Sequence, residues 1–200
     1  MKLVTNRIDQ ISQYLQPYMQ ECFRESCVRL QEEIDSHACE LWEELARAME
    51  ECLNSAVSLQ NQGRKGRLVY LVFSVLGHGA YLNGPEIWID TLDDGFYLDR
   101  QEAKGHYHPR FLQERYTGDL DCLYKKACEK FIRLQDYEWD GIKKEYMGFY
   151  CSILFRMLGS LAGPLMGTVA DSRIPTADDF RIIFGEYMGK GTVIYEGGRP

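Results

Sequence analysis

The side chains best equipped for chemistry in this sequence are histidines, and three of the four, His78, His106 and His108, fall in its middle. Side chains alternate along an extended chain, so His106-Tyr107-His108 puts both imidazoles on one side, and Pro109 favours extension at His108. Joined by His78, they offer three nitrogens to a zinc ion with a fourth position left for water. That is the donor set of a metal-dependent hydrolase, in which Asp90 or Asp99 would act as base. No His-Glu-x-x-His pattern accompanies them, so the expectation is no metal and no cofactor, with the hydrolase as the alternative.

A second signal surrounds the first. In Gly77-His78-Gly79-Ala80-Tyr81, glycines flank a histidine at the end of an apolar run, where backbone can approach a ligand closely. Tyr81, Trp88, Phe96, Tyr97, Tyr107, Phe111 and Tyr116 follow within a short span. Most of these rings belong to a core, but with a few polar tips they also suit an apolar pocket. The expected binding residues are His78, Tyr81, Trp88, His106, Tyr107 and His108, and the expected role is a non-catalytic module that binds a small molecule or a protein.

Other catalytic patterns fail on spacing. Gly185-Glu186-Tyr187-Met188-Gly189-Lys190-Gly191 is one residue short of a phosphate loop and lacks a hydroxyl after the lysine, which leaves a helix stop and turn. Gly159-Ser160-Leu161-Ala162-Gly163 has its serine one place too early for a nucleophile elbow. Asp90, Asp93, Asp94 and Asp99 cluster where hairpin turns ordinarily carry aspartate.

These groups need a scaffold, and the pattern predicts an α+β fold in a single domain over 1–200. Apolar residues recur at helical spacing through 6–62, with kinks or restarts at Pro17 and at Asp35-Ser36. Residues 67–98 form an antiparallel meander: a buried strand from Arg67 to Leu76, a turn at Asn83-Gly84-Pro85, a strand from Glu86 to Leu92, and a hairpin at Asp93-Asp94-Gly95 before Phe96-Tyr97-Leu98 returns. Residues 119–187 are mainly helical, with Asp119 capping one helix and Thr176 to Asp179 opening the last. Residues 192–195 add a C-terminal strand, for an antiparallel sheet of about four strands, and the tail from Glu196 to Pro200 frays.

Composition limits the partners. Lys and Arg number 23 against 30 Asp and Glu, and residues 1–60 hold five basic and eleven acidic side chains, so clustered phosphate-neutralising charge is missing and nucleic acid is excluded. From Tyr146 to Ala170 the single charge is Arg156, but an arginine near mid-bilayer and the glycines at 159, 163 and 167 favour a buried helix over a membrane span. Seven cysteines without a Cys-x-x-Cys pair read as buried, reduced thiols of a cytoplasmic protein, and the N-terminus lacks the apolar run of a signal peptide. A structural subunit dimerising through its N-terminal helices is the remaining alternative.

Overall fold

The structure, a computed structural model, describes residues 6–82, 84–99, 101 and 103–197. Expectations for the first five residues, Asn83, the side chain of Tyr97 and the tail at 198–200 lie outside the described residues. The fold is α+β: helix α1 (Arg7–Asn61), strand β1 (Leu68–Val75), β2 (Ile87–Leu92), β3 (Lys104–Tyr107), α2 (Arg110–Lys130), α3 (Asp136–Ser160), α4 (Ala162–Asp171), β4 (Thr176–Glu186) and β5 (Gly191–Glu196). These residues group into two compact units. One comprises Met1–Ala38, His78–Pro85 and Pro109–Ser152; the other comprises Cys39–Gly77, Glu86–His108 and Ile153–Pro200. Because the two are interleaved along the chain, no shift in composition or linker marks them.

The helical unit is knit by a carboxylate. Helix α2 starts at Arg110, not at Asp119, so Asp119 lies in mid-helix and does not cap. Its carboxylate accepts hydrogen bonds from Ser26 Oγ on α1 at 2.8 and 2.9 Å and from the phenols of Tyr146 and Tyr150 on α3 at 2.6 and 2.8 Å. Both phenols are fully buried, and burial first, then the Asp119 charge and hydrogen bond, pushes them above the ordinary tyrosine range. Helix α1 breaks once, at His37 (φ −126°, ψ 22°), two residues beyond the Asp35-Ser36 pair's start; Pro17 is accommodated without non-helical backbone.

The second unit is a five-stranded sheet in the order β3-β2-β1-β4-β5. It is mixed rather than antiparallel, because β1 pairs parallel with β4 while every other pair is antiparallel. The expected C-terminal helix is instead β4. Phe180, Ile183, Phe184 and Tyr187 fit a helical period, but burial falls on Phe180, Ile182 and Phe184, a period of two, and the second edge of the buried strand β1 needs a partner. The glycine-rich stretch ending at Gly191 is thus a strand-to-strand turn. Phe96–Leu98 is a 3₁₀ turn, so β3 takes the place of the expected return strand.

One sheet face is closed by the second half of α1. A Cβ on Gly105 would stand 2.4 Å from the carbonyl oxygen of Ala48, so only glycine lets helix and strand come this close. Cys52 donates there to the Ala103 carbonyl at 3.0 Å, and burial pushes its thiol up to about 12. It is the one buried cysteine; Cys39, Cys122 and Cys128 are exposed and Cys22, Cys27 and Cys151 half-buried, because the helices turn those positions outward. No single described helix is long and apolar enough to cross a membrane, and α3 and α4 meet at a 60° bend.

Candidate metal centre

The face of the sheet opposite that helix carries the candidate site. In the antiparallel register Trp88 faces His106, Ile87 faces Tyr107 and Ile89 faces Gly105. Directly opposed residues share a face, so Trp88 and His106 lie on one side while Ile87, Ile89 and Tyr107 point to the other. One further step along that register sets Glu86 opposite His108. The result is a four-residue patch, Trp88 on β2 with Glu86 just before that strand, and His106 on β3 with His108 just after that strand.

Within it, Glu86 Oε1 lies 3.5 Å from His106 Nδ1 and 3.9 Å from His108 Nε2. One ligand atom from each of the three residues falls within 4.8 Å of the other two, the one such cluster among the described residues. The imidazoles stack with centroids 6.2 Å apart. A tetrahedral zinc ion with bonds of about 2.0–2.1 Å needs ligand atoms roughly 3.3–3.4 Å apart, so small side-chain rotations bring this set onto an ion. Two imidazoles and a carboxylate select zinc or another transition ion over calcium or magnesium, which prefer all-oxygen shells. Glu86 is half-buried and both histidines exposed, which leaves the remaining coordination positions open to solvent.

Trp88 backs the site. Its ring meets His106 edge-on at 5.0 Å and Tyr187 at 5.2 Å, with the Lys104 ammonium 4.7 Å from its centroid. This packing holds the His106 ring and sets the Lys104 ammonium against the indole. The indole Nε1 is buried without a hydrogen-bond partner among the described residues, and an unsatisfied donor of this kind costs about 1–3 kcal/mol.

Of the six residues singled out from the sequence, Trp88, His106 and His108 converge. Tyr107 sits on the opposite face at 3% exposure, where burial first and then the Glu44 charge hold its phenol above the ordinary range. His78 and Tyr81 belong to the helical unit, in a 3₁₀ turn where both are exposed, so Glu86 and not His78 completes the ligand set. Asp99, one of the two candidate bases, is bound in a buried ion pair with Lys65. Phe96 packs on Tyr70, while Phe111 and Tyr116 are core residues of the helical unit. An open hollow of about 590 Å³ in that unit is lined by Arg29, Glu32, Glu33, His37, Glu114 and Arg115 among others, and contains none of the six. The sequence pattern gives Glu86 no imidazole neighbour, because it pairs that strand with 96–98; with β3 at Lys104–Tyr107, the Trp88–His106 pairing points to Glu86. Compared with known proteins, the chain matches no family model, no curated protein and no solved structure.

Proposed function

We propose that this chain is an intracellular metal-binding module in which Glu86, His106 and His108 hold a single zinc-class ion whose open position receives a small ligand without chemical turnover. The observation that carries the reading is the approach of one carboxylate and two imidazoles, at the facing ends of β2 and β3, to within 4.8 Å. Binding is favoured over hydrolysis because neither of the two expected bases is placed to serve a bound water. Asp99 is committed to Lys65, and Asp90, four residues along β2 from Glu86, is displaced by about 13 Å at the usual strand rise.

The test is titration of untagged, metal-stripped protein with Zn²⁺ by calorimetry. One ion per chain is expected, with affinity lowered at least tenfold in each of His106→Ala, His108→Ala and Glu86→Gln and unchanged in His78→Ala. A wild-type chain that takes up no zinc, or triad variants that bind as well as wild type, would refute the proposal.

A further inference from the structure

The helices tied together at Asp119 also carry two thiols. Cys22 precedes Ser26 by one turn on α1, and Cys122 follows Asp119 by about one turn on α2. The Ser26–Asp119 hydrogen bonds hold the two helices face to face at this level, and α3 fastens the same carboxylate through Tyr146 and Tyr150. Between helices running in opposite directions, one turn back on α1 meets one turn on along α2. Cys22 and Cys122 accordingly lie within hydrogen-bonding reach of each other. Cys22 is half-buried and Cys122 exposed, and both are free thiols.

We propose that Cys22 and Cys122 form a redox-active pair that closes into an intramolecular disulfide on meeting a low-molecular-weight disulfide, stapling α1 to α2. The exposed Cys122, as its thiolate, attacks one sulfur of the small disulfide; that S–S bond breaks, a mixed disulfide forms and one small thiolate leaves. Cys22 then gives its proton to solvent and attacks the Cys122 sulfur, expelling the second small thiolate. The two protein thiols are oxidised by two electrons, and the small disulfide is reduced to two thiols. Burial first, then the Cys122 charge and Asp119, pushes the Cys22 thiol up to about 12, which assigns it the resolving step. Once Cys122 is in the mixed disulfide its charge is gone and that part of the opposition falls away. Two of the other cysteines are engaged elsewhere: Cys52 is buried against the Ala103 carbonyl, and Cys128 contacts Tyr124.

The experiment treats the full chain with oxidised glutathione, blocks remaining thiols by alkylation, and maps the peptides by mass spectrometry. A peptide linking Cys22 to Cys122 is expected, together with loss of two of the seven free thiols, recovery on dithiothreitol, and a thermal midpoint several degrees higher in the oxidised form. Cys22→Ser should stop at a glutathione adduct on Cys122, and Cys122→Ser should yield no linked peptide and no adduct at Cys22. The proposal is overturned if wild type stops at the Cys122 adduct, if both thiols stay unmodified, or if either pairs with a different cysteine.

Discussion

Replacing Asp99 by asparagine tests how the site is held. The Lys65 and Asp99 side chains are 0% and 2% exposed, and the Lys65 ammonium donates to the Asp99 carboxylate and also to the Gln101 carbonyl at 3.1 Å. Asp99 in turn accepts from the Gln101 amide at 2.9 Å, and nearby Asp93 accepts from the amides of Gly66 and Gly95. The connection from β2 to β3 is thus pinned to the start of β1 by buried polar groups. Neutralising Asp99 leaves an ammonium out of water with no counter-charge, a loss of about 3–5 kcal/mol. At about 2–4 °C per kcal/mol for a chain of this size, the thermal midpoint should drop by about 6–20 °C. Removing both charges in Lys65→Met with Asp99→Leu should restore most of the loss, because the cost lies in the unpaired ion and not in the missing attraction. Calorimetry and urea titration of the two variants decide the matter. A single substitution costing under about 1 kcal/mol, or a double variant no better than the single, would refute this account. Since the same connection delivers His106 to its place, Asp99→Asn should also weaken zinc binding by about tenfold, as loss of supporting contacts around a metal site does.

Two further outcomes follow from packing and burial. Gly105→Ala places a methyl 2.4 Å from the Ala48 carbonyl oxygen, so helix and strand must separate; a loss of about 1–3 kcal/mol or more is expected by urea denaturation, and a neutral effect would contradict the close approach. The phenols of Tyr107, Tyr116, Tyr146 and Tyr150 are all raised in the folded state, chiefly by burial. A raised folded value means that the folded chain holds these protons more tightly than the unfolded chain. Their contribution is therefore complete below about pH 10 and lost as pH climbs beyond it. Ultraviolet titration should show these phenols ionising only together with alkaline unfolding, whereas ionisation in the native state at about pH 10 would count against their burial.

How much of this was legible depends on how local the deciding contact is. Helical spacing in Ile8, Ile11, Leu15 and Met19, and the β-branched run from Leu68 to Val75, are local signals, and both elements are present where they were expected. The stretch from Phe180 to Tyr187 fits two periods, and the choice is made by β1, more than a hundred residues away, whose second edge demands a strand. Asp119 sits where a cap would be plausible, but its fate is set by Ser26, Tyr146 and Tyr150, none of them its sequence neighbour.

The candidate site shows the same division more sharply. Alternation in His106-Tyr107-His108 is enough to put two imidazoles on one side of a strand, because that depends on the chain's own geometry. Which third group joins them depends on register, and a shift of one residue turns every side chain to the other face. Here the register is fixed from the buried side: Gly105 must lie under Ala48, and Ile87 must lie opposite Tyr107 in the core. Those apolar requirements, indifferent to any metal, carry Glu86 to His108. A residue inserted between Gly105 and His106, with Gly105 kept under Ala48, would leave all three candidate ligands in the sequence and yet turn the imidazoles to the other face, away from the carboxylate. Zinc affinity should then fall as far as it does on deleting Glu86 itself, while a chain that still bound zinc tightly would show that the two histidines suffice without the carboxylate.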